Sequence, residues 1–215
     1  MTGGRKPALP VTVFTDYICP FCYVGERRLA RLNEEFDVRV ERRFLEIHPE
    51  TPAEGMPVSE LGYPPEQWAR MMENLERMGK AEGIVFSERT FTTNSHKALL
   101  LAEAAKGEGP EVFEALNEGL FRTYFGEGRN IGDPLILRDV AKAAGVPAGT
   151  IGNAWSDAAY EERLARDHAA ASGIGITGIP TFIVDGRWIL EGAVPVEMLR
   201  EVANKVSGGK SGGHD

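Results

Sequence analysis

Apolar positions along this chain switch between two periods, and the switches lay out its elements. Val11-Thr12-Val13-Phe14 is a short apolar, β-branched run and reads as a strand. Leu29, Leu32 and Phe36 follow at helical spacing and predict a helix over about residues 20 to 36. Val38, Val40, Arg42 and Phe44 then alternate with charged residues, as in a second strand. Strand, helix and strand in this order predict parallel neighbours joined by a right-handed crossover. Residues 47 to 64 hold Pro49, Pro52, Pro57 and Pro64 and read as an irregular connection. The pattern is helical from there on, with helices predicted over 65–80, 94–106, 110–125, 134–144 and 155–172. Gly107, Gly109, Gly126, Gly128, Gly145 and Gly173 mark their ends, and Pro65, Pro110 and Pro134 fit their first turns. Near the far end, Thr181-Phe182-Ile183-Val184 and Arg187-Trp188-Ile189-Leu190 flank Asp185-Gly186, a strong signal for a hairpin with a positive-φ turn. A last helix starts near Pro195 and is expected to bury Met198, Leu199, Val202 and Val206. No internal repeat at a fixed period is visible.

The sum is βαβ, a helical block, then ββα. The two outer parts together make a thioredoxin fold, an α/β class, with a large all-helical insertion between them. The expected division is a thioredoxin-like domain over 8–63 and 174–207, a helical insertion domain over 64–173, and a disordered Gly/Ser-rich tail over 208–215.

Composition narrows the class. At 215 residues, 42% hydrophobic and 26% charged, the chain is an ordinary well-cored globular protein of one or two domains. Its net charge of −8 argues against nucleic acid or acidic membranes as partners. No apolar stretch approaches the roughly 20 residues that a membrane span needs. No apolar segment precedes the first strand, so a secretory signal is not expected and the expected compartment is the cytoplasm.

The chemistry sits in Cys19-Pro20-Phe21-Cys22, which contains both cysteines of the chain. A Cys-x-x-Cys that opens a helix after a strand is the sequence form of a dithiol/disulfide redox site. At a helix N-terminus the unpaired N–H groups and the positive dipole end favour a thiolate. The spacing brings the second sulfur within reach of the first, so that it can resolve a mixed disulfide. A zinc half-site would need a second ligand pair, and His48, His96, His168 and His214 show no metal-ligand spacing, so no metal is expected. Two incidental buried cysteines are the bland alternative. In a thioredoxin fold, Gly178-Ile179-Pro180-Thr181 gains meaning: its proline is expected to be cis and to face the cysteines. The missing N–H at Pro180 would leave room beside the sulfurs, and the backbone of Ile179 could pair with an extended substrate.

These segments resemble the DsbA-like thioredoxin superfamily, and within it the FrnE-type cytosolic dithiol oxidoreductases. The resemblance runs from Val11 to about Val206. It rests on Asp16 with Cys19-Pro20-Phe21-Cys22-Tyr23-Val24-Gly25, Phe44-Leu45-Glu46-Ile47-His48-Pro49 and Thr93-Asn94-Ser95-His96-Lys97-Ala98. Leu120 to Phe125, Gly175 to Phe182 and Gly192-Ala193-Val194-Pro195 complete it. Phe21 stands where that branch carries Trp, and since this dipeptide tunes the thiols, the reduction potential does not carry over. The resemblance implies thiol–disulfide exchange on protein or small thiol substrates, with Cys19 as nucleophile, Cys22 as resolving thiol, and Pro20, Phe21, Ile179 and Pro180 shaping the substrate site. It implies no cofactor beyond the redox-active pair, glutathione being a candidate co-substrate, and a monomer or homodimer. The neighbouring 2-hydroxychromene-2-carboxylate isomerases share the fold but typically carry Ser where Cys19 stands; a glutathione-dependent small-molecule isomerase is the enzyme alternative. A peptide-binding or chaperone module with vestigial cysteines is the non-enzyme one.

Other residues weigh less. Asp16 is placed either to move protons to and from Cys22 or simply to end the strand. Asn94-Ser95 is expected to cap a helix, with His96 on the helix surface or near the active face. Glu46 and His48 read as structural or rim residues, Glu34-Glu35 as a solvated face. Trp68, Met71, Met72, Leu75 and Met78 form a stripe that reads as core.

Overall fold

The computed structural model of the chain describes residues 5–210. Strand β1 (Ala8–Thr15) runs into helix α1 (Pro20–Arg31), and β2 (Asp37–Phe44) returns parallel to β1. Helices α2 (Pro65–Ala81), α3 (His96–Ala105), α4 (Pro110–Phe121), α5 (Pro134–Ala143), α6 (Ala148–Asn153) and α7 (Ala158–Gly173) follow, then β5 (Thr181–Val184), β6 (Trp188–Glu191) and α8 (Val196–Lys210). The sheet order is β2-β1-β5-β6, with β5 antiparallel to β1 and to β6, which is the thioredoxin topology expected from the sequence. Asp185 and Gly186 both take positive φ, 53° and 68°, as the hairpin turn requires.

One face of the sheet is covered by α1 and α8, and on the other Phe14 and Ile183 pack with Ala171 of α7. Leu9, Val11, Val13, Phe182 and Val184 pack with Leu29 of α1, with Leu32 just past its end, and with Leu199, Val202 and Val206 of α8. A larger apolar cluster joins the cysteine segment to α3, α4 and α5. The outer edge of β2 is closed by side chains: Asp167 on α7 accepts from the Phe44 N–H (3.0 Å), and the Lys106 ammonium donates to the Arg42 carbonyl (2.7 Å). Arg42 itself is buried and paired with Glu26 of α1 and Glu114 of α4, through contacts of 2.6–2.9 Å. That triad pins the sheet to the helical block. Its removal from one side would leave an unpaired buried charge.

The structure departs from the sequence reading in several places. Helix α1 stops at Arg31 and a 3₁₀ turn (Leu32–Glu34) carries Leu32 into the core. The block between β2 and β5 is not purely helical, because β3 (Met56–Pro57) pairs with β4 (Phe91–Thr92) within it. Residues 122–126 form a π-helical turn at the end of α4. Met198 is exposed and Val196 takes its place in the core, since only one face of α8 meets the sheet. Helix α8 runs on to Lys210, three residues into the expected disordered tail; extending an existing helix incurs no nucleation cost. Residues 211–215 of that tail lie outside the described residues.

Candidate functional site

Cys19 is the N-cap of α1, in extended backbone geometry, and Pro20 takes the first helical position, where a missing N–H costs nothing. The first turn carries no acidic side chain and the last turn carries Arg28 and Arg31, so nothing opposes the positive end of the dipole at Cys19. The two thiols are unequal. Cys19 retains 6% exposure and Cys22 none, which makes Cys19 the sulfur a substrate can reach. Burial pushes the Cys22 thiol well above its ordinary range, and the adjacent Cys19 adds to the rise. The Thr15 hydroxyl and the Asp16 backbone N–H pull the other way. Thr15 Oγ1 is buried without an oxygen or nitrogen partner, which leaves it free for the sulfur.

The second half of the site comes from far along the chain. The Ile179–Pro180 bond is cis, and the Ile179 carbonyl oxygen lies 3.8 Å from the Cys19 sulfur. The approach is close because α1 carries Gly25 there: a Cβ at that position would stand 2.9 Å from Phe182 Cζ and 3.1 Å from Pro180 Cγ. Phe21 and Ile179 are half-buried beside the thiols, packed against the larger cluster. Pro20 is buried.

Asp16 is completely buried. Its Oδ1 accepts from the Ile18 N–H (3.2 Å), and its Oδ2 from the Ile47 N–H (2.9 Å) and the Ser95 hydroxyl (3.0 Å). Burial raises its carboxyl to about 6, against these three donors. Asp16 thus ties the strand end to two loops, with a carboxyl raised by burial beside the cysteine segment. Ser95 gives its hydroxyl to Asp16 and makes no side-chain cap; the bond to the His96 N–H comes from Asn94 Oδ1 (2.9 Å). His96 lies between Glu46 (Nδ1, 2.9 Å) and Glu161 (Nε2, 2.9 Å), and these bonds, Glu46 foremost, raise its pKa to about 9. It works as a strut from the loop after β2 to α7.

Sequence reasoning missed several neighbours of the cysteines. Tyr17 is buried, donates to Asn117 of α4 (3.0 Å) and packs on Phe44 and Phe121. Tyr23 stacks on Phe121 with ring centroids 5.0 Å apart and donates to Glu118 (2.8 Å). Both anchor the Cys-x-x-Cys turn to the helical block. The only available signal was their adjacency to the motif. Among the described residues no group of three or more His, Cys, Asp or Glu side chains is arranged to hold a metal ion.

The profile of the DSBA-like thioredoxin domain matches residues 10–203. The chain belongs to that family. A probable DsbA oxidoreductase from Streptomyces coelicolor superposes with a TM-score of 0.84 at 27% identity, covering 93% of this chain and 90% of that one. An uncharacterized Bacillus subtilis protein, YwbO, is 27% identical over 199 residues, 89% of this chain and 94% of its own. The cytosolic disulfide reductase DsbM from Pseudomonas aeruginosa shares the fold at 19% identity, with a TM-score of 0.69 over 92% of this chain and 98% of its own. No helix among the described residues is long and apolar enough to cross a membrane.

Proposed function

We propose that this DsbA-like chain is a cytoplasmic dithiol–disulfide oxidoreductase acting on protein or small-molecule disulfides through Cys19 and Cys22. The observation that carries the reading is the joint geometry of the site: Cys19, the more exposed thiol, at the N-cap of α1, a fully buried Cys22 one turn on, and the Ile179 carbonyl facing the first sulfur. The Cys19 thiolate attacks one sulfur of a substrate disulfide, forming a mixed disulfide and releasing the other sulfur as a thiolate. Cys22, which has no exposure of its own, gives up its proton to Asp16 as the relay and attacks the Cys19 sulfur, releasing the second substrate thiolate. The chain's dithiol is thereby oxidised to the Cys19–Cys22 disulfide, and the substrate disulfide is reduced to two thiols. Run backwards, the same steps oxidise a substrate dithiol.

Glutathione is a fitting small partner, and the Pseudomonas reductase has a structure with GSH. The isomerase alternative needs a cavity for a small aromatic molecule at the nucleophile. Cavities of about 660, 640, 480 and 670 Å³ are lined by other residues, none of them Cys19, Phe21, Ile179 or Pro180. The test is turnover of a peptide disulfide in glutathione buffers, with the reduction potential read from the same titration. Turnover should vanish in Cys19→Ser; a wild type that turns over no disulfide, while peptide binding survives loss of both cysteines, would overturn the reading and favour a binding module.

A further inference from the structure

One face of α1 reads Cys22, Gly25, Arg28, three residues apart, and its last two rungs meet the Pro180 segment and the turn bonded to it. Cys22 lies beside Cys19, and Gly25 admits the rings of Pro180 and Phe182. Arg28 reaches the turn after β6: its Nη1 donates to the Ala193 carbonyl (2.5 Å) and to the Val194 carbonyl (3.2 Å). That turn is bonded to the proline, because the Gly192 N–H donates to the Pro180 carbonyl (2.7 Å). The Arg28 Nε in turn donates to Glu82 Oε1 (3.0 Å), just past the end of α2, and Glu82 Oε2 also receives Arg31 (3.3 Å). The Arg28 and Glu82 side chains are only 10% and 5% exposed, so solvent does little to loosen the pair.

We propose that Arg28 is a positioning residue for disulfide exchange, braced by Glu82. Its guanidinium fixes the Ala193–Val194 turn and, through the Gly192–Pro180 bond, holds the Ile179 carbonyl where an incoming disulfide must pass to reach Cys19. A single planar fork serves both ends, donating from Nε to the helical block and from Nη1 to the turn; a lysine could not reach both at once. The role rests on the oxidoreductase reading, since it has meaning only if Cys19 exchanges disulfides.

The test uses the full chain as wild type, Arg28→Gln, Glu82→Gln and the double variant, with two probes. One is reduction of a short peptide carrying a mixed disulfide, which must lie against the Ile179 segment. The other is alkylation of Cys19 by iodoacetamide, which needs no such contact. Misplacing a positioning element by a fraction of an ångström is expected to slow the peptide reaction about tenfold or more in Arg28→Gln, with alkylation unchanged within about twofold. Glu82→Gln should lose less, and the double variant no more than Arg28→Gln alone, because Glu82 acts through Arg28. Should Arg28→Gln fail to fold, Arg28→Lys carries the same comparison. A folded variant that reduces the peptide at the wild-type rate while only its melting temperature falls would overturn the role, as would equal losses in both probes. A wild type inert toward the peptide would instead overturn the oxidoreductase reading on which the role stands.

Discussion

Asp16 should make the fold lose stability as pH rises from 4 to 6, and Asp16→Asn should abolish that loss. The carboxyl is fully buried and its folded pKa is about 6, against an ordinary 3.8. Between those values the folded chain keeps a proton that the unfolded chain has released. Stability therefore falls as pH rises through this window and levels off above about 6. The gap corresponds to about 3 kcal/mol, a large share of a typical domain's stability. The asparagine amide is neutral at every pH, and its one misfit, an NH₂ facing one of the three donors, costs the same throughout. The assay is urea unfolding followed by tryptophan fluorescence at pH 4, 5, 6 and 7, at constant ionic strength with the thiols kept reduced. The wild-type minus variant free energy should drop by a little over about 2 kcal/mol across the series, because the unfolded carboxyl is already half ionised at pH 4. A difference flat to within about 0.5 kcal/mol would mean that the three donors outweigh burial, and would refute the reasoning.

Cys19 should be alkylated at least about a hundredfold faster than Cys22 at pH 7, because Cys22 is buried with its thiol held protonated; Cys22→Ser should trap mixed disulfides and Cys19→Ser should not, as gel-shift assays would show. His96 is raised to about 9 from an ordinary 6.5, so its stabilisation is complete below pH 6.5 and lost as pH rises through 9. With the side chain about a third exposed, the loss should be about 1 kcal/mol after solvent screening, seen as a wild-type melting temperature that falls toward that of His96→Gln between pH 6.5 and 9.5. Gly25→Ala should cost about 1–3 kcal/mol, since its Cβ meets the fully buried Phe182 ring and Pro180. It should also slow reduction of a peptide disulfide; an unchanged rate would separate the Pro180 contact from function.

What the sequence disclosed was local chemistry. The Cys-x-x-Cys, the proline segment and the Asp-Gly hairpin are each a few adjacent residues whose backbone demands are written in their own types. What it withheld was pairing across distance. Arg28 and Ala193 are 165 residues apart, Arg42 and Glu114 are 72 apart, and Ser95 and Asp16 are 79 apart. In each case the residue type alone reads as an ordinary helix or strand position. Helix α6 escaped notice because its six residues bury only Ile151, too little to show a period. Ser95 misled in the opposite sense: serine is a good N-cap, but a buried carboxylate three residues before Cys19 is a stronger claimant for its hydroxyl than a helix N–H that Asn94 can serve.

The placement of stability and reactivity in this fold is uneven, and the unevenness follows the chemistry. Arg42 and Arg28 are buried charges that recover their desolvation through two or more partners each, and they brace the frame around α1. Asp16 and Cys22 do not recover theirs. One titrates near neutrality and the other is held protonated, although each has donors within reach. Groups that the surroundings leave half-compensated respond most strongly to a change of charge nearby. In the proposed reaction, formation of a thiolate and its loss into a disulfide is such a change at Cys19 and Cys22. A fully satisfied neutral core at these two positions would make a more stable sheet end. On the proposed reaction it would also remove the resolving thiol and a buried carboxyl three residues before Cys19.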